Sequence, residues 1–436
     1  MPGHSKVAAA AAVAEAWNLA HLEYAVAHGV EDFPQGVGRD LDVLVKPGQG
    51  RRAVGLARAA LEAHGYQVLL PPSLWGHRLL ALRGEDWSDL LEIHTLEGIG
   101  WHHTVFAAQP NPTGRIGPFA VDPWASFAKQ ILLPLLANGL QRFTQQPERL
   151  VVTEAQQAAA ARRLPEFIGP PAAAAFLDAL ASRDLDRLSA RLPAMRRDLF
   201  RAAWKRTPLR ATRAALQAAY RQFARYFYPC APVIALVGPD GAGKSSVLAE
   251  LAGGEKGVFT DIVVRHWRPG LLPPLSALSG KAAAEPPPGA GVPPRRHPGR
   301  LKWVRAAYYF LDFVLGYYAR DRVLSARQVL VLYDRCGLDM AVDPARYGLA
   351  SARGLRLFWR LIPKPDLVVL LADTPERVHQ RKPELELPAI ERQLELWQQF
   401  VQSGAVQAAI QVDAPPAEIA RRLRALILRA LVRKLS

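Results

Sequence analysis

The sequence predicts an α/β chain in three parts: two α/β domains, at residues 1–120 and 229–436, joined by a helical connector at 121–228. Three observations carry this reading. First, Val233 to Val237 is a continuous apolar run of strand length, as a strand buried on both faces requires, and a Gly-rich turn and a helical stretch to Leu251 follow it directly. Second, Val329–Tyr333 and Asp366–Leu371 are further apolar runs of this kind, which predicts a mostly parallel sheet with helices on both faces. Third, strand-period segments alternate with helical ones over the first 120 residues, whereas Asp122 to Asp198 is rich in Ala and Leu and interrupted by prolines.

The 436 residues are enough for two or three domains with sizeable cores, and half of them are hydrophobic. No stretch approaches the roughly 18–20 uninterrupted apolar residues of a membrane span. The Ala-rich start, Val7 to Ala14, reads as helix and carries no secretory pattern. Cys230 and Cys336 are the only cysteines; they lack metal spacing and fit a reducing, cytoplasmic setting. The formal charge of +16 points to anionic partners. Seven Lys or Arg and no acid fall between Arg201 and Pro229, where Leu209, Thr212, Leu216, Tyr220, Phe223 and Phe227 keep helical spacing. This is the pattern of a solvated basic face on a packed helix, and no nucleic-acid-binding signature accompanies it.

At the N-terminus, Lys6 to Leu22 reads as helix and Glu23 to Gly29 as strand, followed by a loop with Pro34, Gly36 and Gly38. Arg39–Val45 alternates at strand period, so Asp40 and Asp42 share a face. Gln49 to His64 is helical, and Gln67–Leu70, Leu79–Arg83 and Leu90–Leu96 are predicted strands, the last with Glu92 and His94 on one face. Two carboxylates on one strand and a third on a neighbour suit a pair of Mg²⁺ ions that clamp attacking and leaving oxygens. In these residues the first part resembles the nucleotidyltransferase superfamily, marked by a Gly-Ser turn and then D-h-D on a strand. The resemblance implies Asp40 and Asp42 as metal ligands, with Glu92 as the third carboxylate. His28-Gly29-Val30-Glu31 stands where the Gly-Ser turn belongs. The expectation is therefore a domain that binds a substrate or partner and has little or no nucleotidyl-transfer activity. His102 and His103 face opposite ways on a strand, which suits a structural or solvent role.

The connector is expected to be helical and broken at Pro134, Pro147, Pro165, Pro170, Pro171 and Pro193. Residues 271–300 contain LLPPL, EPPPGAG and PPRRHPGR, a Pro/Gly-rich segment that reads as a long loop over the C-terminal domain.

Gly238-Pro-Asp-Gly-Ala-Gly-Lys-Ser245 matches G-x-x-x-x-G-K-[ST] in its required strand–loop–helix setting. Backbone N–H groups of Gly238, Asp240, Gly241, Ala242, Gly243 and Ser246 are placed to cradle phosphates at a helix N-terminus. Lys244 is expected to reach the β/γ-phosphates of ATP, and the Ser245 hydroxyl to ligate Mg²⁺. Asp334-Arg335 follows a strand end, where working groups of open α/β sheets lie. Arg335 suits a phosphate or the acceptor, and Asp334 a hydroxyl or a Mg²⁺-bound water. Beyond the strand at 366–371, Arg377, Arg381 and Lys382 form a basic stretch able to close over the triphosphate.

These stretches, with PDLVVLLADTPERVHQRK, resemble the thymidylate kinase family of P-loop nucleoside monophosphate kinases. RHWRP at 265–269, YYFLDFVLGYY at 308–318 and DRCGLDMAVDPARYG at 334–348 are more similar to thymidylate kinase-like proteins of bacterial surface-polysaccharide gene clusters, which also carry a degenerate nucleotidyltransferase-like N-terminal part. The resemblance implies that Lys244, Ser245 and Arg335 serve phosphates and Mg²⁺, that Asp240 lies near the acceptor, and that Arg377 and Arg381 form a lid. The family's DRYxxS run has Cys336 at its Tyr position and Asp339 at its Ser position here. His266, Arg268, Asp339, Asp343, Arg346 and Tyr347 are accordingly candidates for a different acceptor: a sugar, a sugar phosphate or a nucleotide-linked sugar. Three readings follow: an ATP-dependent kinase of such an acceptor, a true pyrimidine nucleoside monophosphate kinase, or a nucleotide-binding scaffold. No nucleic-acid partner is expected, and the oligomeric state is open, a dimer included. The basic amphipathic stretch Ile419 to Leu435 reads as a helix closing the sheet and also suits peripheral contact with anionic lipid at the inner face of the plasma membrane.

Overall fold

The structure is a computed structural model. It describes residues 2–71, 77–84, 89–101, 104–140, 143–144, 150–206, 216, 220, 223, 226–254, 256–273, 301–344, 358–383 and 386–435. His102, His103, Arg346, Tyr347, most of the basic stretch after 206 and nearly all of the Pro-rich segment lie outside the described residues. The described residues divide into two compact units, one up to residue 224 and the other from 225 onward.

The first unit begins with α1 (Pro2–Leu19), β1 (Tyr24–His28), β2 (Asp40–Val45), α2 (Gly50–Ala63), β3 (Gln67–Leu69), β4 (His77–Leu82) and β5 (Leu90–Leu96). Four short strands follow: β6 (Ile99–Trp101), β7 (Thr104–Ala107), β8 (Gly114–Ile116) and β9 (Phe119–Val121). Seven strands form a mixed sheet in the order β3-β4-β5-β2-β1-β9-β8, and β6 pairs with β7 separately. The strands after 98 are too short to show a hydrophobic period, and apart from the strand read at His102 and His103 the sequence does not predict them. Alternation along β2 separates the two faces: Leu41, Val43 and Val45 pack with Ala10, Val13 and Trp17 of α1 and Ala53, Ala57 and Leu61 of α2. Leu44 and Leu96 lie in a second core with Trp124, Phe127, Ile131 and Leu135. That second layer starts with α3 (Pro123–Phe127), passes through a π-helical turn at Ala128–Leu132, and continues as α4 (Leu133–Asn138).

The same core runs on through α5 (Glu154–Arg163), α6 (Pro165–Ile168), α7 (Pro170–Ala181) and α8 (Leu185–Arg206). Pro165 and Pro170 sit in the first turns of α6 and α7, where a missing N–H costs nothing. The helical run at 123–138 passes the expected break at Pro134, and the expected break at Pro193 is corrected: α8 runs through it. Leu188, Leu192, Met195 and Leu199, all in the buried core, hold the helix on both sides of the proline. Packing of that stripe outweighs a local cost of about 3 kcal/mol.

In the second unit β10 (Val233–Val237), β11 (Asp261–His266), β12 (Val329–Asp334), β13 (Leu367–Ala372) and β14 (Ala408–Gln411) form a five-stranded sheet in the order β11-β12-β10-β13-β14, with every pairing parallel. The sheet is covered on both faces. Val233, Ala235, Val331, Tyr333, Val368 and Leu370 pack with Phe313 of α10 (Leu301–Gly316), with Trp359, and with Trp397 of α14 (Leu387–Gln402). The alternate residues Ile234, Leu236, Leu332 and Val369 are equally buried. α9 (Lys244–Gly253) packs on β11 and β12, and α15 (Pro416–Leu435) on α9 and β14. No helix of the described residues is long and apolar enough to cross a membrane.

After α10, a π-helical turn at Tyr317–Asp321 leads into α11 (Arg322–Ala326). It places Asp321, wholly buried, against the Tyr333 hydroxyl, with Arg265 Nε 3.7 Å away. Burial raises the Asp321 pKa to about 6, although Tyr333 and Arg265 oppose the shift. A carboxyl whose folded pKa exceeds its unfolded value of 3.8 contributes stability fully present below that value and lost as pH rises through about 6. Relative to Asp321→Asn, the wild-type second unit should lose up to about 3 kcal/mol between pH 4 and pH 8. Paired urea melts across that range check this; a pH-independent difference contradicts it.

Candidate functional site

β10 is flanked by β12 and β13, and the chain leaves their carboxyl ends at Gly238, Arg335 and Asp373. Strand connections go to opposite sides of β10, so this end of the sheet is a topological switch point, the place where open α/β sheets bind their ligands. At two of its glycines the loop after β10 lies so close to its neighbours that a side chain does not fit. Gly238 has φ +139°, and a Cβ there would meet the Leu371 carbonyl oxygen at 2.5 Å. A Cβ on Gly241, at φ +90°, would meet the Val378 carbonyl oxygen at 2.9 Å and Lys382 Cβ at 3.2 Å.

Lys244 opens α9 and is almost completely buried; its Nζ donates to the carbonyl oxygens of Gly238, at 2.8 Å, and Pro239, at 2.7 Å. The Ser245 hydroxyl donates to Asp334 Oδ2 at 3.0 Å. Arg335 adopts φ +81°, and its N–H donates to the Leu236 carbonyl across to β10 at 2.9 Å. Its guanidinium pairs with Asp240 and, at 3.2 Å, with Asp339 Oδ1. Asp339, at the start of the short helix α12 (Asp339–Val342), also accepts from the Cys336 N–H at 2.8 Å. Burial pushes the Asp339 carboxyl up, and Arg335 opposes that. Lys382 Nζ lies 3.9 Å from Asp240 Oδ2.

The third contribution comes from α13 (Pro375–Arg381), capped by the Thr374 hydroxyl, which accepts from the Arg377 N–H. Buried Asp373 lies 2.8 Å from Arg381 Nη1 and 3.8 Å from Arg377 Nη1. Arg381 also donates to the Gly241 carbonyl at 3.4 Å. Gly238, Asp240, Gly241, Ala242, Gly243, Lys244, Ser245, Ser246, Asp334, Arg335, Arg377 and Arg381 thus belong to one neighbourhood. Asp373 was not singled out in the sequence; its position past a strand end, like that of Asp334, was the available signal. Among the acceptor candidates, Arg268 is held by Asp312, at 2.9 Å, and by the Leu272 carbonyl.

In the first unit Asp40 stands opposite Glu92 and Asp42 opposite His94, because β2 and β5 are parallel in that register. Asp40 is paired with Arg39 at 3.1 Å. Asp42 Oδ1 lies 2.9 Å from Lys129 Nζ and 3.4 Å from His94 Nδ1. Glu92 pairs with Arg78 and with His94 Nε2. Burial opposes charge on Asp42, Glu92 and His94, yet Lys129 and His94 hold the Asp42 carboxyl well below the usual range. Its two acidic partners raise His94 to about 9 against its burial. Among the described residues no group of three or more His, Cys, Asp or Glu side chains is arranged to hold a metal ion. Lys129 and Arg78 were not anticipated: Lys129 comes from a helix remote from β2 and β5 in the sequence, and Arg78 from β4, whose pairing with β5 only the fold reveals.

No family model matches the chain, and no curated protein does. Solved structures similar to it include a thymidylate kinase from Candida albicans, with 12% identity, covering 47% of this chain and 94% of that one at a TM-score of 0.34. Another is a thymidylate kinase from Ehrlichia chaffeensis, with 13% identity, covering 46% of this chain and 100% of that one at a TM-score of 0.31.

Two glycines of the loop, one open and one closely approached, predict different costs. Gly243 has φ +81° and open space around a Cβ. Gly243→Ala should cost only the left-handed backbone, about 1–2 kcal/mol. Gly238→Ala adds a collision with backbone and should be the more destabilising in thermal or urea unfolding. The reverse order contradicts the close approach to β13.

Proposed function

We propose that the second unit is an ATP-dependent phosphotransferase of thymidylate kinase type, acting on a sugar, sugar phosphate or nucleotide acceptor in surface-polysaccharide biosynthesis. One observation carries this reading: Lys244, the Ser245–Asp334 pair, Arg335 and Arg381 converge on one tight glycine loop at the carboxyl ends of three adjacent parallel strands. A loop that only bound nucleotide would need neither Arg335 nor the basic helix α13.

Ser245 Oγ and Asp334 Oδ2 are neighbouring oxygens, the donor type that hard divalent cations take, and they fit Mg²⁺. Bound there with nucleotide, Mg²⁺ would neutralise phosphate charge. Lys244 exchanges two loop carbonyls for the β/γ-phosphates, and loop N–H groups hold the phosphate oxygens. Arg335, steered by Asp240 and Asp339, meets the transferring phosphate or the acceptor. Arg377 and Arg381 add positive charge from α13. Cys336 and Asp339 are both buried, and Asp339 is spent on Arg335, so neither position offers the acceptor a hydroxyl. This supports an acceptor other than thymidine monophosphate. We further propose a cytoplasmic protein whose first part, residues 1–120, is nucleotidyltransferase-like and binds a substrate or partner, and whose residues 121–228 connect it to the kinase. The basic side of α15 would meet anionic lipid at the inner membrane face.

Mg-ATP should raise the unfolding temperature of the wild type and do so far less in Lys244→Ala; equal stabilisation of both sinks the assignment. With ATP, Mg²⁺ and a panel of sugars, sugar phosphates and nucleoside monophosphates, Arg335→Ala should lower turnover by about 10³–10⁵ with little change in ATP affinity. Thymidine monophosphate should be a poor substrate. Tight ATP binding with no turnover on any acceptor favours a scaffold instead.

A further inference from the structure

We propose that the first unit carries its own cation in place of a divalent metal, with the Lys129 ammonium seated at Asp42 where the carboxylates of β2 and β5 would otherwise hold an ion. The argument begins with sheet parity. Asp40, Asp42 and Leu44 lie on one face of β2, and Glu92, His94 and Leu96 on the same face of the parallel neighbour β5. Leu44 and Leu96 belong to the core built with Phe127, Ala128, Ile131 and Leu132, so the helix at 123–138 covers the face that carries the acids.

The π-helical turn at Ala128–Leu132 sits in that helix, and irregular turns of this type recur where side chains are re-aimed for a purpose. Two consecutive residues of the turn reach the strands. Lys129 Nζ lies 2.9 Å from Asp42 Oδ1, and Gln130 Nε2 lies 2.9 Å from the Ala27 carbonyl at the end of β1 and 2.8 Å from Glu31 Oε1. Each acid then has a cation: Asp40 has Arg39, Asp42 has Lys129, and Glu92 has Arg78 from the adjacent strand β4. A hard divalent ion takes several oxygen ligands at about 2–2.6 Å. The ammonium sits at 2.9 Å on a buried Asp42 oxygen that such an ion would need. A single positive charge on a tethered chain neutralises Asp42 but cannot bridge the attacking and leaving oxygens of a nucleotidyl transfer. The acids of this unit are thereby structural, and the charged face is built to stand without metal.

The test uses the full-length chain without nucleotide and Mn²⁺ as the probe, read by electron paramagnetic resonance and by thermal unfolding. Wild type should show no Mn²⁺ binding that Asp42→Asn removes, and EDTA should leave its unfolding unchanged. Lys129→Ala should lower the stability of the first unit, gain a Mn²⁺ site, and recover stability on adding Mn²⁺. The gain should vanish in Lys129→Ala/Asp42→Asn. Lys129→Gln, which keeps a hydrogen-bond donor, serves if the alanine variant does not fold. Wild-type Mn²⁺ binding that depends on Asp42 overturns the proposal without needing any Lys129 variant. A folded Lys129 variant that takes up no Mn²⁺ also overturns it, because Lys129 is then an ordinary ion-pair partner and not the occupant of a cation position.

Discussion

The pairing of β10 between β12 and β13 is the constraint on which the second unit depends. Asp366 fixes one end of it: its N–H donates to the Val233 carbonyl, and its Oδ2 accepts from the Val233 N–H at 2.7 Å. At the other end the chain leaves β10 at Gly238, under the Leu371 carbonyl, and Arg335 donates its N–H back to Leu236. Three loops from distant parts of the sequence therefore emerge side by side. A loose register here would separate Ser245 from Asp334 and Arg381 from Gly241. Arg335 takes up a left-handed backbone at a non-glycine position, a local cost the parallel ladder offsets.

Charge neutralisation is the second organising theme. Burying an ionised group is expensive unless it is paired and hydrogen-bonded. In the second unit Arg335 sits between Asp240 and Asp339, and Asp373 takes Arg377 and Arg381. Lys244 is satisfied by loop carbonyls. Under the proposed function these are the groups that a triphosphate would compete for, so the loop is held in shape by the contacts that such a ligand would replace. Such an arrangement keeps the cradle open without leaving buried cations unpaired.

The first unit uses the same physics to a different end. Strand alternation puts three acids on one face, and the helix layer that must cover the apolar part of that face carries Lys129 to them. Hydrophobic packing of Phe127, Ile131 and Leu132 sets where the helix lies, and the π-helical turn sets which side chains it offers to the strand ends.

The sequence by itself determined the elements whose signals are local. Val233–Val237 emerged with its predicted bounds, Leu90–Leu96 likewise, and the glycine loop was readable because its backbone geometry demands those residues at that spacing. The shared face of Asp40 and Asp42 followed from the two-residue period of a strand. Elements of three or four residues between Ile99 and Val121 escaped it, since periodicity needs length to show. A helix through Pro193 escaped it because local propensity counts the lost hydrogen bond and not the core contacts that outweigh it. Only the tertiary structure decided the partners. Asp339 reads in the sequence as a candidate acceptor contact, and folding buries it and pairs it with Arg335 at 3.2 Å. Asp42 reads as a metal ligand in the sequence, and packing brings Lys129, 87 positions along the chain, to 2.9 Å from it. Charges interact through space, and one-dimensional spacing does not encode which distant cation the core will carry to a buried carboxylate.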